Sequence, residues 1–386
     1  MIYVTLNDAL SGVYMSQVVD VVHHLEKEHK TDVRLVAFFS LRHYRAWGRI
    51  LRHRLPNAVI LPTIPNMIGW RLNFITFVVY LLISGEKTAI CRGLFAAQMA
   101  LWAKKIGIIT KVCYDGRGAI TAEWQEYLSK TEDKTPYSYT LIEELERNVV
   151  LKSNYCMAVS QKLLSYWKQQ FGYNQNTNWV VPCTLNNYIE PRPTIKKETD
   201  RLRERLGFTP DDVVLVYSGS TAGWQSFGFI QHTLLQTMRN NPQIKVLFLS
   251  YTNKTNSEFQ KQLPKQVVIK WIEPHDVHKY LCVCDYGILL REKSVTNSVA
   301  APTKFAEYLI AGLSVVISPD LGDYSDFVLK HQCGHLIAEE GRETLHFEKT
   351  PLEVRNQNIY LAQKYFKKSS ESIRPIYQQI VEKMAV

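Results

Sequence analysis

The strongest constraint in this chain is an alternation that runs, stops and starts again. Short apolar runs with strand character lie at residues 2–6, 33–38, 58–61, 88–91, 108–114, 155–159 and 179–181, with stretches of helical spacing between them. Strands that alternate with helix-length segments form parallel sheets with helices on both faces. The pattern breaks over residues 182–194, which hold Pro182, Asn186, Asn187, Pro191 and Pro193 and precede the charged run IKKETDRLRERLG. It then resumes at 213–217, 245–250, 266–271, 286–290 and 314–318. The chain therefore reads as two Rossmann-like α/β domains, 1–187 and 188–368, joined by a proline-rich linker. The last helical stretch, about 369–386, is expected to pack back on the first domain. A length of 386 residues suits two domains of ordinary size.

The balance of 46% hydrophobic and 21% charged residues is that of a chain with a core to build. Seven scattered cysteines with no C-x-x-C pair read as reduced thiols. The N-terminus enters a strand without the basic and apolar regions of a secretion signal, so a cytoplasmic protein is expected. Residues 72–83 are strongly apolar but fall short of the roughly 20 needed to span a bilayer, and read as a buried helix, with a role at a membrane surface as the alternative. Lys and Arg outnumber Asp and Glu by 46 to 36, which favours an anionic partner. The basic residues match no nucleic-acid module, so phosphates and acidic lipid remain.

Ligands of open parallel sheets bind where loops leave the carboxyl ends of strands. The richest such loop follows the strand at 286–290 and reads REKSVTNSVAAPTKFAEYLIAG. Pro302 marks a helix start, whose free amides face an anion. Lys304 in the first turn and Glu307 three residues on share one face, suited to a diphosphate and a ribose respectively. The same pair also reads as a solvated ion pair on an amphipathic helix. Arg291, Asn297 and Thr303 belong to this loop. A second loop, after 213–217, carries Ser218, Gly219, Ser220 and Thr221, small enough for close backbone approach to phosphate. It is equally an ordinary strand-to-helix connection. In the first domain, Gly12, a candidate for binding the donor, follows the first strand and Asp115-Gly116-Arg117-Gly118 the fifth. Asp115 is a candidate for a sugar or acceptor hydroxyl and Arg117 for orienting it or meeting the phosphates, with a plain Asp-Gly turn as the alternative.

Residues 41–55, LRHYRAWGRILRHRL, place Arg42, Arg45, Arg49 and Arg52 on one helical face and Tyr44, Trp47, Leu51 and Leu55 on the other. This fits an anionic lipid surface or a lipid-diphosphate acceptor. It fits a Rossmann helix with a solvated basic face as well. No Walker loop, G-x-G-x-x-G, G-x-S-x-G or D-x-D is present, and the histidines and cysteines lack metal-site spacing, so no metal or other cofactor is expected.

The run at 297–325, NSVAAPTKFAEYLIAGLSVVISPDLGDYS, resembles the nucleotide-sugar site of glycosyltransferase family 4, especially bacterial members that build capsule, O-antigen or exopolysaccharide. SGVYMSQV, YDGRG, AVSQKLLSYW, VPC and YSGS precede it in the order that family shows. The resemblance implies a GT-B fold, two Rossmann-like domains with parallel sheets facing across a cleft. It also implies retaining, metal-independent transfer from a nucleoside-diphosphate sugar to a lipid-linked or oligosaccharide acceptor. Glu307 matches the second glutamate of the family's E-x7-E pattern, expected on the donor ribose; the first would fall at Val299 and is absent, a loss shared by relatives of the N-x-x-x-x-P-x-K form. Arg291 and Lys304 are the candidates for the diphosphate, with Ser220 and Thr221 contributing. Where members often carry a histidine after the fifth strand, this chain has the DGRG turn. An epimerase or phosphorylase of the same fold, and a membrane-attached scaffold without activity, are the alternatives.

Overall fold

The computed structural model describes residues 1–63, 70–127, 137–190, 196–219, 226–338 and 346–385. They divide into two compact units, Met1–Asn187 with Lys368–Val386, and Tyr188–Lys367.

The first unit is built on seven strands: β1 (Ile2–Leu6), β2 (Arg34–Ser40), β3 (Val59–Thr63), β4 (Thr88–Arg92), β5 (Lys111–Gly116), β6 (Tyr155–Ala158) and β7 (Asn178–Val180). They pair in parallel in the order β3-β2-β1-β4-β5-β6-β7. Consecutive side chains of a strand point to opposite faces, so both faces of an interior strand need cover. On β2, Phe39 meets Trp47 of the helix Tyr44–Arg54, while Phe38 meets Phe77 of the helix Asn73–Ser84. The C-terminal helix Arg374–Met384 completes this unit, burying Tyr377, Ile380 and Met384 with Tyr3, Val18 and Leu35. Lys368 leads into it and donates from Nζ to the Leu185 carbonyl at 2.6 Å.

The second unit holds β8 (Val213–Ser218), β9 (Ile244–Leu249), β10 (Val267–Ile269), β11 (Tyr286–Leu289), β12 (Ser314–Ile317) and β13 (Gly334–Leu336). Their order is β10-β9-β8-β11-β12-β13, again all parallel. Strand order reverses between β1 and β4 in the first sheet and between β8 and β11 in the second. At these switch points neighbouring loops diverge and leave room for a ligand.

One expectation needs correction. The apolar stretch at 72–83 is not a buried helix: Asn73–Ser84 buries only Asn73, Phe77 and Leu81 and exposes its opposite face. A helix lying on a sheet covers one stripe of itself, and nothing among the described residues covers the rest.

Candidate functional site

At the switch point of the second unit, the helix Thr303–Ile310 starts from Pro302. Its position is set by Tyr308, whose hydroxyl accepts from the Ser218 amide at 3.1 Å and donates to the Ile288 carbonyl at 3.3 Å. One ring thus ties the helix to the ends of both β8 and β11. The ring fits because residue 287 is glycine: a Cβ there would lie 2.2 Å from a Tyr308 ring carbon.

That anchoring delivers Lys304, only 9% exposed, to the end of β8. Its Nζ stands 4.3 Å from the centre of the Tyr217 ring, a cation–π contact. The side chain passes over Gly219, whose φ of +135° and missing Cβ both suit glycine. Burial pulls the Lys304 ammonium well below its ordinary pKa, and the nearby Arg291 adds to this while Glu307 opposes it. Glu307 is half-buried one turn along; burial raises its carboxyl and Lys304 counteracts. Thr303 is half-buried at the helix start.

Arg291, buried just after β11, donates from its backbone amide to Ser318 Oγ at 2.7 Å and from Nη1 to Asn297 Oδ1 at 3.2 Å. Asn297 in turn donates to the Glu292 carbonyl at 3.0 Å and accepts from the Gly322 amide at 3.2 Å. Asn297 thereby fixes the Arg291 guanidinium and the loop around it. Gly322 (φ +51°) permits this closeness, since a Cβ would fall 1.9 Å from the Ala300 carbonyl oxygen. Val299 is buried at 2% exposure. Ser220 and Thr221 lie outside the described residues. Arg291, Asn297, Lys304, Glu307 and Gly219 therefore share one neighbourhood.

The loop reading passed over two aromatics. Tyr251 and Trp271, beyond the carboxyl ends of β9 and β10, stack with centroids 5.2 Å apart at 24° and remain 69% and 43% exposed. Their place after predicted strands was the available signal.

In the first unit Asp115 is 1% exposed and already engaged. Its carboxylate accepts from the Tyr3 hydroxyl and from Arg117 Nη2 at 3.1 Å from Oδ2, and Arg117 Nε lies in ion-pair contact with Oδ1 at 2.7 Å. Arg92, which the sequence reading did not single out, lies 3.7 Å from Asp115 and 3.6 Å from Asp8. It joins the loops after β1 and β4 across that unit's switch point. The geometry makes Asp115 the holder of two guanidinium groups, Arg92 and Arg117. The next helix, Ile120–Glu126, is fixed by the buried Glu146, which accepts from the Ile120 amide (3.2 Å), the Thr121 amide (2.7 Å) and the Thr121 hydroxyl (2.6 Å). Gly12 opens a helix capped by Ser11, whose Oγ accepts from the Tyr14 amide at 3.2 Å, and a Cβ on Gly12 would meet nothing within 4 Å.

The arginines at 42, 45, 49 and 52 are all exposed, while Leu51 and Leu55 are buried and Tyr44 and Trp47 pack partly on the core. Among the described residues, no three His, Cys, Asp or Glu are placed to hold a metal ion, and no helix is long and apolar enough to cross a membrane.

No family model matches this chain, and no curated protein does. Solved structures do. Sucrose-phosphate synthase from Thermosynechococcus elongatus aligns at 11% identity over 99% of each chain, with a TM-score of 0.69. WaaG, a glycosyltransferase involved in lipopolysaccharide biosynthesis, aligns at 12% identity over 100% of this chain and 99% of its own, with a TM-score of 0.65. UDP-GlcNAc 2-epimerase from Methanocaldococcus jannaschii follows at 12% identity, over 99% and 98%, with a TM-score of 0.53. The likeness is one of fold: two parallel-sheet α/β units of the GT-B kind.

Proposed function

We propose that this protein is a glycosyltransferase that takes a sugar from a nucleoside-diphosphate donor. The observation that carries this is the pair of neighbouring buried cations, Lys304 and Arg291, at the switch point of the second unit. Two positive groups in a dry setting oppose each other, and a diphosphate would relieve that cost. The free amides at the start of Thr303–Ile310 add donors for the same anion. Glu307, on the same helix, suits ribose hydroxyls, and the exposed Tyr251–Trp271 stack offers a flat surface for a nucleobase.

In the transfer, the bond from the anomeric carbon to the diphosphate oxygen breaks while Lys304, Arg291 and the helix amides stabilise the growing negative charge. The acceptor hydroxyl forms the new bond from the same face and passes its proton to the departing phosphate, giving retention. Cationic side chains supply the charge that a metal ion supplies elsewhere, so the reaction is read as metal-independent. Arg117 and Arg92, held by Asp115, are assigned to orienting the acceptor side, and Gly12 to leaving room for the donor. The setting proposed is bacterial capsule, O-antigen or exopolysaccharide synthesis on a lipid-linked or oligosaccharide acceptor, in keeping with the part WaaG takes in lipopolysaccharide biosynthesis. The protein would work in the cytoplasm, with Arg42, Arg45, Arg49 and Arg52 against an anionic membrane face.

The epimerase of like fold keeps a second reading open, in which the sugar is altered and released without an acceptor. A thermal-shift screen of nucleosides, nucleoside diphosphates and their sugars tests the proposal, since a ligand that binds the folded state raises its midpoint. A diphosphate should raise it well beyond its nucleoside. No shift with any diphosphate would overturn the reading, and a changed sugar released without acceptor would favour the epimerase.

A further inference from the structure

We infer that Asp8 receives a hydroxyl group of the acceptor, and that the acceptor presents an uncharged sugar to the first unit rather than a phosphate. The inference rests on the acceptor role proposed above for Arg92 and Arg117, and adds the group that meets the substrate and the charge the site admits.

The carboxylate that the sequence points to, Asp115, has no capacity to spare. It is 1% exposed and already takes the Tyr3 hydroxyl, Arg117 and Arg92. Asp8 stands on the other side of Arg92, in the loop that leaves β1 at the switch point of that sheet. Asn7, at a φ of +58° that asparagine tolerates better than most residues, turns the chain out of the strand just before it. The Asp8 side chain is 41% exposed, against 13% for Arg92 and for Arg117. Its Oδ2 is buried and faces Arg92 Nε at 3.6 Å, which leaves Oδ1 as the oxygen open to a ligand. Among the described residues nothing donates a hydrogen bond to Asp8. A hydroxyl both donates and accepts, so one acceptor hydroxyl can give its proton to Asp8 in a charge-assisted bond while its oxygen faces a guanidinium.

The charges decide what kind of acceptor fits. Two guanidiniums, Arg92 and Arg117, face two carboxylates, Asp8 and Asp115, so the cluster is balanced. Burial raises the Asp8 carboxyl and Arg92 opposes the rise, so the pair is ionic at neutral pH. Lys368, beside Arg117, is offset by Asp20. A phosphate brought to this face would meet the exposed carboxylate of Asp8 with no cation in excess, and like charges in contact oppose binding. The second unit is the reverse case, where Lys304 and Arg291 stand with the single carboxylate of Glu307.

The test is saturation-transfer NMR on the full chain with the methyl glycosides of glucose, galactose and mannose, and with the primary phosphates of the same sugars. The nucleoside diphosphate that gives the largest thermal shift is kept in excess, so that no sugar phosphate reports on the second unit. Wild type should give signals from a methyl glycoside and none from the phosphates. Asp8→Asn, an isosteric change at an exposed position whose folding circular dichroism checks, should weaken that glycoside about tenfold or more through loss of a charge-assisted bond. The same variant leaves two guanidiniums to one carboxylate, so the phosphates should now give signals. Phosphates that bind wild type more tightly than the glycosides would overturn the uncharged acceptor. Unchanged glycoside affinity in the folded variant would take Asp8 out of the contact. Silence from all the glycosides in a diphosphate-bound chain would overturn the site while leaving the donor reading standing, whereas a chain that no diphosphate shifts would overturn both.

Discussion

The side chain of Lys304 occupies the space beside Gly219 so closely that a Cβ there would stand 2.6 Å from its Cε and 2.7 Å from its Nζ. The glycine thus sets the path of the ammonium group, and Gly219→Ala would push it aside while straining a φ of +135°. Affinity for a nucleoside diphosphate should fall about tenfold, the equivalent of about 1.4 kcal/mol. The parent nucleoside should bind nearly unchanged. Titration calorimetry of both ligands reads the difference, and equal diphosphate affinity would remove Lys304 from the site.

Lys304 and Glu307 should separate by ligand. Glu307→Ala should weaken nucleoside and diphosphate alike by about 10- to 100-fold, the loss of a charge-assisted bond of roughly 1.5–3 kcal/mol to a ribose present in both. Lys304→Met should act almost wholly on the diphosphate. A folded Glu307→Ala variant with wild-type affinity would return the pair to an ordinary helix surface.

Asp115 holds rather than reacts in this geometry, so its loss should appear first in stability. Asp115→Asn leaves Arg92 and Arg117 without their shared carboxylate and should cost about 3–5 kcal/mol in denaturant unfolding. Tyr3→Phe, which removes one neutral donor, should cost about 1–2 kcal/mol. Lost activity in a fully stable Asp115→Asn variant would instead make Asp115 a group that touches substrate.

His24 makes stability depend on acid. Burial pulls its pKa down to about 4, with the positive charges of His29, Lys368 and Arg374 adding to the effect. The unfolded chain, at about 6.5, takes up the proton first, so stability is lost as pH falls from about 6.5 towards 4 and the loss is complete below that. His24→Phe, which keeps a ring against His29 and Tyr377, should flatten the fall in melting temperature over that window. An unchanged pH profile would show that His24 is protonated in the folded state.

Turnover should survive EDTA, since Lys304 and Arg291 supply the charge that the proposed reaction needs. Activity lost on chelation and restored by Mg²⁺ would contradict the metal-independent route.

The alternation of apolar runs carried the two parallel-sheet units by itself, because strand and helix periods are local properties of neighbouring residues. Pro302 likewise marked the start of the helix bearing Lys304 and Glu307, since a proline favours the first turn whatever lies around it. What the sequence left open depends on distant residues that meet only in the folded chain. Gly287 makes room for Tyr308 across 21 positions, Glu146 closes the helix at Ile120 across 26, and Arg92 links Asp8 to Asp115. The apolar run at 72–83 shows the same limit most plainly. Composition states that such residues favour leaving water, but whether they can is decided by what covers them, and the sheet covers only the stripe of Asn73, Phe77 and Leu81.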